Sequence, residues 1–284
     1  MKPAPFDYVR AESVPDATAA LRRFGDEGKI LAGGQSLLPL MNFRLARPAV
    51  LIDIGGLREL SGLRSHDGQV SVGALTRHLD LERCGLAGPL GTMLRASAAH
   101  VGHLPIRTRG TFGGSVAHAD PAAEWCMLTT LLDGSVTAVS ASGERRIAAA
   151  DFFDTVFTTA LEPDELLTEV TLPLLDGTHR VAVAEFARRA GDFAVVAVMV
   201  ACRVRDGMLG EARVCLGGVA GRPVRSTAAE AVLTGQPASG GTFTAAADAA
   251  AAASSPPADI HGSAEYRRDL VRVLLRRALE RMGP

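Results

Sequence analysis

Lysine is almost missing from this sequence. Only Lys2 and Lys29 occur among 30 basic residues, so nearly all positive charge is arginine. There is no GxxxxGK phosphate loop, and few lysines are left to form a Schiff base with pyridoxal phosphate. Aromatics make up 5% of the 284 residues and none interleaves with a basic run. A stacking platform for single-stranded nucleic acid is therefore not indicated. Neither sign of charge dominates: 30 Lys and Arg face 31 Asp and Glu, a formal net charge of −1. Such a chain has no global field to hold nucleic acid or an anionic membrane. The four cysteines, Cys84, Cys126, Cys202 and Cys215, form no CxxC or similar pairing. An iron–sulfur cluster or structural zinc needs thiolates converging on one point, so free thiols in a reducing compartment are expected. The N-terminal MKPAPFDYVRAES has no apolar signal region, and a cytoplasmic location is expected. The longest apolar run, Phe193–Cys202, is about ten residues, which suits a buried strand and is too short for a bilayer. Neither GxGxxG nor GxSxG occurs, so a Rossmann fingerprint and a nucleophile elbow are both unsupported.

What is present is ordinary soluble composition, 47% apolar and 21% charged. The length allows two or three subdomains with their own cores. Residues 1–55 read as β-α-β-α-β: a helix over Val14–Phe24 after Ser13, Pro15 and Asp16, strands at Lys29–Ala32 and Val50–Ile54, and a helical or turn-like Leu37–Arg44. Residues 56–175 are mixed, with strands at Gln69–Gly73, Ser135–Ser140 and Glu165–Leu172, a helix over Leu86–Ala99, and a hairpin turn at Ser142-Gly143. Residues 176–284 read as a three-stranded antiparallel sheet with helices. The strands are Arg180–Arg188, Ala194–Arg205 and Gly210–Leu216, with Asp206-Gly207 as a hairpin turn. Helices follow from Glu230, within Ser239–Pro257, and over Ala264–Glu280, where Leu270, Val273, Leu274 and Ala278 are expected to share the buried face.

Two short segments stand out. In ILAGGQSL an apolar strand stops at Gly33-Gly34 and is followed by Gln35 and Ser36; in RTRGTFGGSVAHADPAAE, Gly113-Gly114 lies between Thr111 and Ser115. Glycine permits a left-handed turn and a close approach to the peptide plane, and successive amides in such a turn can converge on an anion. Read alone, each is also an ordinary strand-to-helix turn. Two donor-rich diglycine turns in one chain suggest two walls of one diphosphate site. Asp120 reads both as a helix N-cap, with Pro121 at the first helical position, and as an acceptor for a ribose hydroxyl. His118 reads as a proton shuttle or as a satisfied loop histidine, and His100 and His103 as structural rather than as a metal pair.

Five segments then resemble one family along essentially the whole chain. They are AGGQSLLPLMNFRLARPAVLIDIGGLREL, RGTFGGSVAHADPAAE, FARRAGDFA, GGVAGRPVR and DIHGSAEYRRDLVRVLLRRALE. They resemble the FAD-binding medium subunit of the molybdenum hydroxylases, which includes the flavin subunit of carbon monoxide dehydrogenase and the flavin domain of xanthine dehydrogenase. The resemblance implies an α+β chain: a two-part FAD-binding fold of the vanillyl-alcohol oxidase type plus a C-terminal flavin-subunit domain. It implies FAD held by Ile30, Leu31, Ala32, Gly33, Gly34, Gln35, Ser36 and Leu37, and by Thr111, Phe112, Gly113, Gly114 and Ser115. Asp120 and Glu124 would lie near the nucleotide and Leu167 against the flavin. Where some relatives carry a lysine near the flavin, this chain has Glu185, so that role does not carry over. The function implied is an electron relay, with a molybdenum-cofactor large subunit and a [2Fe–2S] small subunit as partners, in a doubled assembly. The alternative is a stand-alone FAD dehydrogenase or oxidase, for which His118, His179, Tyr8 and Glu185 are the loose candidates for a base.

Overall fold

The structure is a computed structural model and describes residues 2–282. Its N-terminal part contains β1 (Asp7–Arg10), α1 (Val14–Phe24), β2 (Gly28–Leu31), α2 (Leu37–Asn42) and β3 (Val50–Asp53). The strands form a parallel sheet in the order β1-β3-β2. Ser13 starts α1 by accepting from the Asp16 amide at 3.2 Å, with Pro15 in the first turn. Ala17 and Leu21 of α1 pack on Val50, Ile52 and Ile54. Because the strands are parallel, Arg10, Leu31 and Asp53 all emerge at one end of the sheet. The carboxyl ends of parallel strands are where ligand crevices form.

The middle part contains β4 (Leu63–His66), β5 (Gln69–Gly73), α3 (His78–Glu82), α4 (Gly88–His100), α5 (Leu104–Arg109), α6 (Phe112–His118), α7 (Glu124–Leu131), β6 (Ser135–Ser140), β7 (Gly143–Ala148), α8 (Ala149–Phe152) and β8 (Leu166–Pro173). Its sheet is antiparallel, in the order β4-β5-β8-β6-β7. The core lies between this sheet and α4, α6 and α7, around Trp125, Phe112, Met93 and Leu94.

The C-terminal part contains β9 (His179–Phe186), β10 (Val196–Arg205), β11 (Met208–Gly217), β12 (Val224–Arg225), α9 (Thr227–Leu233), α10 (Gly240–Ala253) and α11 (Ala264–Arg281). The expected three strands are four, β12-β11-β10-β9. The fourth is two residues long, too short to show alternation. One face of this sheet packs on α9–α11, and the other joins the middle core through Val183, Ala197, Met199 and Cys215. Burial on both faces explains the unbroken apolar run Val196–Cys202. The α11 face is also corrected. Val271, Leu274, Leu275, Ala278 and Leu279 are buried, whereas Val273 is 36% exposed. Arg267 turns the helix this way, because its buried guanidinium donates to the Val195 and Gly218 carbonyls and pairs with Asp259 at 2.7 Å.

Candidate functional site

After β2 the chain bends through Ala32, Gly33 and Gly34. Gly34 has φ +73°, a conformation a β-carbon opposes. The Gln35 side-chain amide donates to the Gly33 carbonyl at 3.2 Å, so part of its donor capacity closes the bend itself. The Leu38 amide then donates to the Gly34 carbonyl and opens α2. Among the described residues, the main-chain N–H groups of Gly33, Gly34, Gln35 and Ser36 have no acceptor. Successive unpaired amides around a left-handed glycine are the ingredients of an anion nest.

The second diglycine takes another form. It is not a turn but the first turn of α6, with Thr111 as its cap and Thr111 Oγ1 accepting from the Gly114 amide at 3.1 Å. The Phe112 amide donates to Thr76, the Gly113 amide to Ala74 and the Ser115 amide to Thr111, at 2.9, 2.9 and 3.0 Å. The main-chain donors from Phe112 to Ser115 therefore already have partners within the chain. Glycine is needed at 113 for packing, since a β-carbon there would stand 2.5 Å from that of Ala74. Phe112 is fully buried against Trp125, ring centroids 4.9 Å apart, and offers no side-chain surface to a ligand.

The two segments nevertheless meet. A β-carbon on Gly33 would lie 2.4 Å from the Arg109 carbonyl oxygen and 2.7 Å from the Gly110 α-carbon. One on Gly114 would lie 3.8 Å from the Ala32 methyl. The first bend thus rests on the backbone that leads into the second. Beneath that backbone, His78 accepts at Nδ1 from the Trp125 indole at 2.9 Å, which fixes the proton on Nε2. Burial, with help from the Arg77 and Arg107 charges, pulls the His78 pKa down to about 4, so the ring is neutral.

A cleft of about 320 Å³ opens at the carboxyl ends of β1–β3, beside the first bend, and is lined by Arg10, Arg77 and Arg109 as well as Gly33. Its one carboxylate, Asp53, is occupied by the Tyr8 hydroxyl and the Gly55 amide. A second cavity of about 510 Å³ lies beyond α6, between the middle and C-terminal parts, and Asp120, Arg188, Asp192 and Phe193 line it.

Asp120 is not an N-cap. It accepts from the Ala122 amide at 2.8 Å in a turn, and α7 begins at Glu124 with Ala123 in the cap position. Burial raises the pKa of Asp120 and of Glu124, and the Asp120 charge adds to the effect on Glu124. Leu167 is 4% exposed within the core and lines neither cavity. The loose base candidates are scattered. Tyr8 is in the arginine cleft, His179 is bonded to Asp176 at 3.0 Å, and His118 stacks on Phe157 with centroids 4.7 Å apart. Sequence reasoning missed Arg10, Arg77, Arg109 and Phe193. No local pattern marks them, because only the chain's path brings them to these openings.

A cleft lined by three arginines, beginning at the first of four unpaired amides, suits an anionic dinucleotide. A small parallel unit meeting an antiparallel one along such a cleft defines a two-part dinucleotide-binding flavoprotein. The chain belongs to the FAD-binding family of the molybdopterin dehydrogenases: residues 4–175 match "FAD binding domain in molybdopterin dehydrogenase" and residues 181–282 match "CO dehydrogenase flavoprotein C-terminal domain". It is 40% identical to 6-hydroxypseudooxynicotine dehydrogenase complex subunit alpha of Paenarthrobacter nicotinovorans, over 98% of this chain and 95% of that one. It is 38% identical to the nicotine 6-hydroxylase medium subunit of the same organism, over 100% and 99%. A solved structure of carbon monoxide dehydrogenase from Hydrogenophaga pseudoflava superposes with a TM-score of 0.95 at 34% identity, covering 99% of this chain and 98% of that one. The chain is thus an FAD-binding oxidoreductase subunit of this family.

Proposed function

We propose that this chain is the flavin relay of a molybdenum hydroxylase-type dehydrogenase. Electrons released at a molybdenum cofactor on a large subunit pass through [2Fe–2S] clusters on a small subunit to FAD here, and leave to an external acceptor. FAD supplies the step between single-electron and paired-electron transfer. The free amides of Gly33–Ser36 would hold the diphosphate, with Arg77 and Arg109 adding charge. Ile30, Leu31, Ala32 and Leu37 would shape that wall, and Thr111–Ser115 would form the floor beneath it. Asp120 and Glu124 would face the nucleotide's far end, and Leu167 would back the core behind it.

The observation that carries this reading is end-to-end similarity to chains named as subunits of larger complexes. The scattered placement of Tyr8, His118 and His179 weighs against the stand-alone alternative. Among the described residues, no group of three or more His, Cys, Asp or Glu side chains is placed to hold a metal ion, and no helix is long and apolar enough to cross a membrane. Native co-purification with metal analysis tests the proposal. The chain should elute with two partners carrying molybdenum and iron, and the isolated chain should be yellow yet turn over no small-molecule donor. A yellow chain that eluted alone and reduced an acceptor dye at a donor's expense would replace it with the stand-alone reading.

A further inference from the structure

Electrons that arrive through iron–sulfur clusters bring no protons. FAD, when bound, takes up two electrons and up to two protons on full reduction, so a relay subunit has to supply protons from solvent by a separate route. The inference that follows rests on the flavin-relay reading.

Packing alone does not explain Glu185. It lies on β9 opposite Ala197 of β10, which in turn lies opposite Gly217 of β11. Residues opposite one another across strands point to the same face of a sheet, and here that face meets α7. The two small residues let the start of α7 settle close: a β-carbon on Gly217 would stand 2.4 Å from Met127 Sδ and 3.2 Å from the Pro121 carbonyl oxygen. The Glu185 side chain is 7% exposed among apolar neighbours. Its Oε1 has no hydrogen-bond partner among the described residues. Its Oε2 lies 3.6 Å from Nδ1 of His100, the last residue of α4, whose side chain is 42% exposed. One end of Glu185 thus reaches a group in contact with water.

The face that carries Glu185 meets the start of α7, where Glu124 is buried. Burial raises the Glu185 pKa, and the charge of Glu124 raises it further. Asp120, one turn before Glu124, lines the larger cavity. A buried carboxylate with an unpaired oxygen is held far more cheaply as the acid than as the anion.

We propose that His100, Glu185, Glu124 and Asp120 form a proton relay from the surface at the end of α4 to the cavity beside α7, with Glu185 as its proton-holding middle. The Glu185 acid passes its proton to the Glu124 carboxylate, and Glu124 passes one on through Asp120. The Glu185 carboxylate recovers a proton from water through the His100 imidazole. Each proton that enters at His100 leaves at Asp120, and no electrons move in these steps. The other groups at hand fit this traffic. Burial and the Arg281 charge lower the His100 pKa, so the ring rests neutral with one nitrogen able to accept a proton. Cys126, beside Glu124, is pushed well above its ordinary value by burial and stays a thiol. His118, facing Asp120, is also lowered by burial.

Stopped-flow reduction of the FAD-loaded full chain by reduced methyl viologen, whose oxidation releases no proton, with a pH indicator dye, reads proton uptake apart from flavin bleaching. Glu185→Gln and His100→Phe should each slow uptake relative to bleaching by about 100-fold, the scale of a lost proton-transfer group, and Glu185→Asp should recover part of it. Uptake as fast in both variants as in the unaltered chain overturns the relay. Infrared spectra of the FAD-free chain give a readout without cofactor: a protonated-carboxyl band at neutral pH that disappears in Glu185→Gln. Absence of that band also overturns the proposal. A chain that takes no FAD fails the flavin reading, and the relay's destination with it, while the infrared band still decides whether Glu185 holds the proton.

Discussion

Gly33-Gly34 and Gly113-Gly114 have nearly the same neighbours in sequence and lie against one another in space, yet their glycines serve different ends. In the first segment the left-handed Gly34 leaves four successive amides without partners. In the second, every amide from Phe112 to Ser115 is bonded within the chain, and Gly113 is glycine because Ala74 leaves no room for more. One segment is an open donor surface and the other is the packed support beneath it. Similar composition at two places therefore does not imply the same chemistry at both. The test is where each N–H goes.

The largest expected effect separates these two roles. Gly113→Ala forces a methyl into the Ala74 backbone and should cost about 3 kcal/mol, the upper range for overpacking, so denaturant unfolding should show a large loss of stability. Gly34→Ala places a methyl among side chains that can move and strains one residue by about 1 kcal/mol, so it should stay folded and lose flavin absorbance. The reverse result, a folded colourless Gly113→Ala and an unfolded Gly34→Ala, breaks the comparison.

The next effect concerns the support alone. His78 has an ordinary value of 6.5 and is held at about 4 in the fold. The folded state prefers the neutral ring, so its contribution is complete above pH 6.5 and is lost as pH falls through about 4. The window is worth about 3 kcal/mol at 1.36 kcal/mol per unit. Urea unfolding across that range should show this slope, and His78→Gln should flatten it. An unchanged slope in the variant would remove His78 from the support.

The smallest effect sharpens the boundary between the segments. Thr111→Val removes the cap that accepts from the Gly114 amide, a loss of about 1 kcal/mol. It also frees one donor beside the first bend, so stability should fall while FAD is retained. Loss of flavin from the purified variant would instead give Thr111 a direct binding role.

Much of the architecture was legible. The α1 helix was marked by Ser13, Pro15 and periodic apolar residues, and the β10–β11 hairpin by Asp206-Gly207. Both signals are local and act through backbone geometry. The two-residue β12 and the α11 face were not, because a long-range partner decides each. Arg267, for instance, turns α11 by bonding carbonyls on two other segments. Asp120 shows the same limit. Its Asp-Pro sequence suits a cap, but the turn it forms closes on Ala122, two residues before α7 begins.

The sequence by itself determined the N-terminal β-α-β unit, the C-terminal antiparallel unit, the two glycine-rich junctions, and the resemblance to the FAD-binding family. Those follow from periodicity, turn chemistry and motifs of a few residues each. Tertiary structure alone decided which junction keeps its amides free, gathered Arg10, Arg77 and Arg109 at one cleft, and set Glu185 between His100 and α7. The reason is that solvation, partner and charge belong to a place in the fold, and residues far apart in the chain reach that place only when the sheets close.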